Sequence, residues 1–211
     1  MARLQGIKRF YTALYRLRQR LGGYQSLSGE SLPAIPVRGG IYFLFEPGEV
    51  RSHSGRSARV VRVGKAANLR ARLYAHHGAA SLRGPSVVGW HPHFHWYVQE
   101  ALDSGRKHLK GAVGQSAGVT IKCMQFLWLP ISDTQERERL ETNSIRLLSN
   151  YGRTPIDPAS PKWLGHRSPR PQVQQSHVWN VQNVKSHLRG LSHETALLER
   201  LYELADTADL T

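Results

Sequence analysis

The fold is decided by the stretch Gly39-Gly40-Ile41-Tyr42-Phe43-Leu44-Phe45, a polar segment, then Val60-Val61-Arg62-Val63-Gly64-Lys65-Ala66-Ala67-Asn68-Leu69-Arg70-Ala71-Arg72-Leu73-Tyr74-Ala75-His76-His77. Two runs of β-branched and aromatic residues, punctuated by glycine and separated by Gly, Ser and charge, predict an antiparallel hairpin. A helix should follow directly. Asn68 is a candidate N-cap, Leu69 and Leu73 recur at i and i+4, and Gly78 stands where the helix would stop. Lys65 falls at the end of the second strand, while Arg72 and His76, four apart, share a helix face and address one cationic spot. With Tyr42 on the adjacent strand, this junction offers a phenol, an ammonium, a guanidinium and an imidazole, groups suited to holding a phosphate and managing a proton.

Gly40-Ile41-Tyr42, a second strand ending in Val63-Gly64-Lys65, and Asn68-Leu69-x-x-Arg72 followed by His76 together resemble the GIY-YIG nuclease family. The resemblance implies a three-stranded antiparallel sheet flanked by helices. It assigns Tyr42 to the first-motif tyrosine, Gly64 to the second-motif glycine as a supporting position, Lys65 to the residue after it, and Arg72 to the catalytic arginine. His76 matches the residue one turn later. The pattern departs at Arg62, which stands where the family has its second tyrosine, and the segment Glu46 to Arg59 is longer than the family's usual hairpin loop.

Working outward, Leu4, Ile7, Phe10, Tyr11, Leu14 and Leu17 recur at helical spacing among Lys8, Arg9, Arg16, Arg18 and Arg20, and Gly22-Gly23 closes this basic amphipathic helix. Ser26 to Val37, with Pro33 and Pro36, reads as a linker. Residues 78 to 118 form an insertion absent from family members of minimal size. Within it Phe94, Tyr97, Val98, Ala101 and Leu102 fall at helical spacing, and that reading is preferred to a strand lined by His91, His93 and His95. No cysteine or acid stands at matching spacing to make those histidines a zinc site. They read as surface histidines or as nucleic-acid contacts beside Trp90 and Trp96, and Trp163 also reads as an exposed aromatic. Arg106, Lys107, His108 and Lys110 suggest a basic loop, and Arg70, Lys107 and Lys110 are candidate nucleic-acid contacts.

Val119 to Leu129 alternates and then turns wholly apolar before Pro130, predicting the third strand with Cys123 in the core. Asp133 and Glu136 resemble a capping box opening a helix that carries Leu140, Ser144, Leu147, Leu148 and Tyr151. Glu141 lies beyond the first turn on the stripe of Ile145 and Leu148, so its carboxylate is partly sheltered and needs a partner. An arginine ion pair is one reading. The resemblance supplies the other, the family's metal-binding glutamate, and adds Asn150 as a supporting asparagine. Pro155 to Pro171 is loop-rich, Val178 to Val181 reads as a short extended piece, and Ser192 caps a last helix bearing Ala196, Leu197, Leu201, Leu204 and Ala205.

Lys and Arg outnumber Asp and Glu by 29 to 15 in 211 residues, a net charge of +14 before any of 11 histidines is charged. A polyanion is the expected partner, nucleic acid before an anionic membrane, since no long apolar run or lipidation motif is present. A single cysteine excludes an internal disulfide and points to a reducing compartment. The acid-free first 29 residues carry one mark of a transit peptide, but serine is scarce among them, and a cytoplasmic location is expected.

The reading is an α+β fold in three parts: a basic helix and linker over 1–37, a GIY-YIG-like core over 38–155 with its insertion, and a loop-rich extension over 156–211 ending in a helix. The resemblance implies an endonuclease hydrolysing DNA, with RNA second, that uses Mg²⁺ or alternatively Mn²⁺ on Glu141. Arg72 then neutralises developing charge and Tyr42 acts as base. An unassisted phenol ionises near pH ~10, so Lys65, Arg62 or His76 must assist it. The alternative is a binding module on the same scaffold without catalysis, signalled by Arg62. Oligomeric state is open.

Overall fold

The computed structural model describes residues 2–28, 32–53, 57–78, 93–106, 116–185 and 191–210. Its elements are α1 (Ala2–Arg20), β1 (Gln25–Ser26), β2 (Gly40–Val50), β3 (Ala58–Ala66), α2 (Leu69–Gly78), α3 (His93–Arg106), α4 (Ala117–Lys122), β4 (Gln125–Pro130), α5 (Thr134–Leu148), α6 (Pro171–Ser176) and α7 (Leu191–Thr207). The strands form one antiparallel sheet in the order β1-β4-β2-β3. The expected hairpin is β2–β3, with Tyr42 opposite Gly64 and Leu44 opposite Arg62.

Side chains alternate across a strand, and β2 uses the alternation to feed two cores. Ile41, Phe43 and Phe45 face Ile7, Phe10, Leu14 and Leu17 of α1, Leu140 and Ile145 of α5, and Leu197, Leu201 and Leu204 of α7. Tyr42 and Leu44 face the opposite way, with Leu69 and Leu73 of α2, Phe94 and Val98 of α3, Ile121, Trp163 and Trp179. The sheet is therefore covered on both faces, and each fully buried large side chain contributes on the order of 1.5–3 kcal/mol.

Four expectations are corrected. The sheet has four strands rather than three, because Gln25 and Ser26 pair with Phe126 and Gln125; two residues are too short to show alternation, so they passed for linker. The strand expected from Val119 begins only at Gln125, because Ala117–Lys122 is helical and capped by Ser116, whose side chain accepts the Val119 N–H. Local capping and burial of Ile121 override the β-branched run there. Cys123, at the end of that helix, is exposed rather than in the core. Trp163 is buried, whereas Trp96 is 61% exposed.

Other elements stand as read. Asn68 Oδ1 accepts the Ala71 N–H at the start of α2, Asp133 Oδ1 accepts that of Glu136 at 2.6 Å, and His93–Arg106 is helical. Ala196 is exposed, while Leu197, Leu201, Leu204 and Ala205 of α7 are buried. The capping role of the Ser192 side chain lies outside the described residues, as do Trp90, His91 and the basic loop of Lys107, His108 and Lys110.

The C-terminal segment is stitched to the hairpin by buried charge. Arg51 pairs with Asp157 at 3.0 Å and Arg59 with Glu49 at 2.7 Å, all four side chains being nearly inaccessible. Glu46 Oε2 accepts the indole N–H groups of both Trp163 and Trp179. Asn180 reaches the outer edge of β3, where its Oδ1 accepts the Val63 N–H at 3.1 Å and its Nδ2 donates to the Val63 carbonyl at 2.8 Å. Beside it the Trp179 N–H donates to the Val61 carbonyl.

Candidate active site

Tyr42 sits mid-strand in β2 with its ring laid across the Gly64 backbone of β3. A Cβ at Gly64 would lie 2.3 Å from Tyr42 Cζ and 2.4 Å from Oη, so only glycine leaves room for the ring. From that seat Tyr42 Oη meets His76 Nε2 at 2.9 Å.

His76 is 0% exposed. Leu69, Leu73 and His76 form the inward i, i+4, i+7 stripe of α2, while Arg72 sits one position off it, half-buried, with its charge acting on the His76 ring. Burial, then the positive charge of Arg62, His95 and Arg72, holds the His76 imidazole well below the usual histidine range. The ring is thus neutral near pH 7, and its Nδ1 is buried without a hydrogen-bond partner. His95 of α3 stacks on it at 6.0 Å, and His95 Nε2 lies 3.0 Å from the His76 carbonyl, one of the last-turn acceptors that a helix leaves unsatisfied.

Arg62 lies on the same face of the sheet as Tyr42. Its guanidinium stands 4.6 Å over the Phe94 ring, Nη1 donates to the Trp179 carbonyl at 3.2 Å, and Nε is buried without a partner. Its charge acts on His76 and also on Glu141. On α5 the Glu141 side chain is 16% exposed, as the stripe argument required, and its partner is a lysine rather than an arginine: Lys65 Nζ is 3.5 Å from Glu141 Oε2 and 3.1 Å from Glu138 Oε1. Burial pushes the Glu141 carboxyl up, while Lys65 and then Arg62 pull it back toward ionisation.

The family model for the GIY-YIG domain matches residues 1–106 and 87–209, two segments that overlap. The chain belongs to the GIY-YIG domain family. No curated protein matches it, and neither does any solved structure. GIY-YIG proteins are generally endonucleases that act on nucleic acid, typically with a divalent metal. Among the described residues no helix is long and apolar enough to cross a membrane.

Within this GIY-YIG chain, Tyr42, Gly64, Arg62 and His76 come together around one buried pair, with Lys65 and Glu141 forming a neighbouring charged pair. Asn150 belongs elsewhere. It is bound to Arg3, Ile156 and His177, which tie the end of α5 to α1 and to the C-terminal segment. Arg70 directs Nε to the Ile35 carbonyl. Lys107 and Lys110 lie outside the described residues. His95, expected as a surface histidine or nucleic-acid contact, is instead buried against His76, and sequence reasoning missed Phe94, Trp179 and Asn180 as neighbours of the site. The spacing of Phe94 marked it as core, and for Trp179 and Asn180 no local signal exists, because their partners lie 117 residues away.

The donor set of Glu141 fits a hard divalent ion. A single sheltered carboxylate already faces a cation, the Lys65 ammonium. Mg²⁺ is commonly held by one or two carboxylates plus phosphate oxygens and water. The described residues contain no group of three or more His, Cys, Asp or Glu side chains that would make a self-contained metal cage.

Proposed function

We propose that this protein is a divalent-metal-dependent endonuclease that hydrolyses phosphodiester bonds in DNA. The observation that carries the reading is the Tyr42–His76 hydrogen bond seated on Gly64, with Arg62 on the same face and the Glu141 carboxylate close enough to feel the charge of Arg62. The neutral His76 ring offers Nε2 to the Tyr42 hydroxyl, which leaves the phenol oxygen's lone pairs to orient the attacking water. Arg72, one turn before His76, neutralises charge developing on the nonbridging oxygens.

Glu141 would hold a divalent ion, Mg²⁺ or alternatively Mn²⁺, whose chemistry there would be Lewis-acid stabilisation of the phosphate and the leaving oxygen. For Glu141 to serve that ion, Lys65 moves fully onto Glu138, which already accepts it at 3.1 Å. Arg62 and Arg72 are two of the charges that keep His76 unprotonated in the free protein. A phosphate bound against them cancels that charge and makes the imidazole a better acceptor for the Tyr42 proton at the moment it is needed.

The experiment is cleavage of supercoiled plasmid and of single-stranded DNA with Mg²⁺ or Mn²⁺ by wild type, Tyr42→Phe and Glu141→Ala. Wild-type cleavage lost in both variants supports the reading. The second reading, a nucleic-acid-binding module without catalysis, is favoured by Arg62 in the second-motif tyrosine position. Salt-sensitive DNA binding with no cleavage under any divalent ion would establish it and sink the first.

A further inference from the structure

Three buried or half-buried arginines lie on or beside β3, and they are not equivalent. Arg51 and Arg59 each stand over an aromatic ring, Tyr11 at 3.9 Å and Trp163 at 5.4 Å, and each also holds a carboxylate, Asp157 and Glu49 respectively. Arg62 has no carboxylate in ion-pair contact among the described residues. It is held by the face of Phe94 and the carbonyl of Trp179, and its Nε is buried with no partner. A cation taken partly out of water without a counterion costs stability, so the fold holds this guanidinium in place at some expense.

Phe94 itself is fully buried and touches three members of the site at once: Arg62, the His76 ring at 5.6 Å, and Trp179 at 6.1 Å. Its helix neighbour His95 stacks on His76 and bonds the carbonyl end of α2. Both residues lie in α3, which both matches to the family model cover.

We propose that α3 is a working part of the active site, in which Phe94 is a positioning residue that presents Arg62, unneutralised, to a phosphate of the substrate. The inference rests on the nuclease reading. In it, Arg62 keeps the aromatic ring that Arg51 and Arg59 also have but not their carboxylate, so the guanidinium is fixed without its charge being consumed. Trp179 supplies the second anchor from the C-terminal segment, so α3 and that segment complete the site.

The test combines kinetics with a spectroscopic reading of the arginine. Phe94→Leu keeps the volume apolar and removes the π face; Phe94→Trp keeps the face. The single-turnover cleavage rate should fall about tenfold in Phe94→Leu and be largely retained in Phe94→Trp. In an Arg62→Met background Phe94→Leu should cost nothing further. A wild-type rate in folded Phe94→Leu, or the same loss with and without Arg62, overturns the proposal.

Independently of activity, the Arg62 Nε–H resonance, identified by its loss in Arg62→Lys, should be shifted upfield by the ring current of Phe94 and exchange slowly. An unshifted, fast-exchanging resonance overturns the proposal even if Phe94→Leu does not fold. If wild type cuts no DNA while that resonance is shifted, the nuclease reading fails and the placement of Arg62 by Phe94 stands.

Discussion

Gly64→Ala is the most diagnostic single change, because its effect follows from distances. The new methyl would sit 2.3 Å from Tyr42 Cζ and 2.4 Å from Oη, whereas carbon atoms pack at roughly 3.5–4.0 Å. The ring must retreat by more than ~1 Å, which carries Oη out of reach of His76 Nε2, now 2.9 Å away. Overpacking costs about 1–3 kcal/mol. Stranding the buried hydroxyl and imidazole adds about 1–3 kcal/mol, and alanine regains about 0.5–1 kcal/mol of backbone entropy over glycine in a strand.

The net loss is about 1–5 kcal/mol, which lowers the melting temperature by roughly 2–20 °C for a chain of this size. Displacing the tyrosine should also slow cleavage about 100-fold. Thermal and urea unfolding measure the first effect, and a cycle with Tyr42→Ala isolates its cause. Once the ring is gone, the cost of Gly64→Ala should drop below about 0.5 kcal/mol. An equal cost in both backgrounds, or an unchanged melting temperature, would refute the reasoning.

Three further outcomes are expected. Lys65→Met removes a partly exposed ammonium 3.5 Å from Glu141; after solvent screening that is worth about 1 kcal/mol, so Mn²⁺ affinity measured by EPR should rise about fivefold, and unchanged or weaker binding contradicts the assignment of Glu141. Arg72→Ala should reduce cleavage at least about 100-fold and shift unfolding free energy by no more than about 0.5 kcal/mol, so a variant that cuts normally removes Arg72 from the chemistry and one that unfolds makes it structural. His76 lies well below 6.5 in the folded state and His177 is lowered to about 4, chiefly by burial. The unfolded chain therefore takes up protons that the folded one refuses, and stability measured from pH 7.5 downward should decline below 6.5, while the His76 NMR signals do not titrate there. A flat or rising profile, or a His76 signal titrating near 6.5, would contradict the buried neutral ring.

The hairpin, the capped start of α2 and the sheltered position of Glu141 were legible because each is written locally, in alternation, in an N-cap and in a helical stripe. The burial of His76 follows from its i+3 spacing to Leu73, and the i+4 spacing to Arg72 brings that charge to bear on the same ring. What could not be read was long-range. Arg62 meets Trp179, and Val63 meets Asn180, across 117 residues without any local pattern. The helix from Ala117 to Lys122 was hidden by Val119, Thr120 and Ile121, whose β-branching argues for a strand until the Ser116 cap is seen. The two-residue β1 is set only by the edge of β4 that it borders.

The clasp of Trp179 and Asn180 on β3 also bears on the outer edge of the sheet. β3 is the outermost strand on its side of the sheet, and an uncovered edge invites pairing with a strand from another molecule. The Asn180 amide satisfies the Val63 N–H and carbonyl as a neighbouring peptide would, and the Trp179 N–H occupies the Val61 carbonyl. The same few atoms that bring the Trp179 carbonyl to Arg62 thus occupy this edge of β3, so a chain cut short before Val178 should lose its grip on the guanidinium and bare the Val61 and Val63 edge in one step.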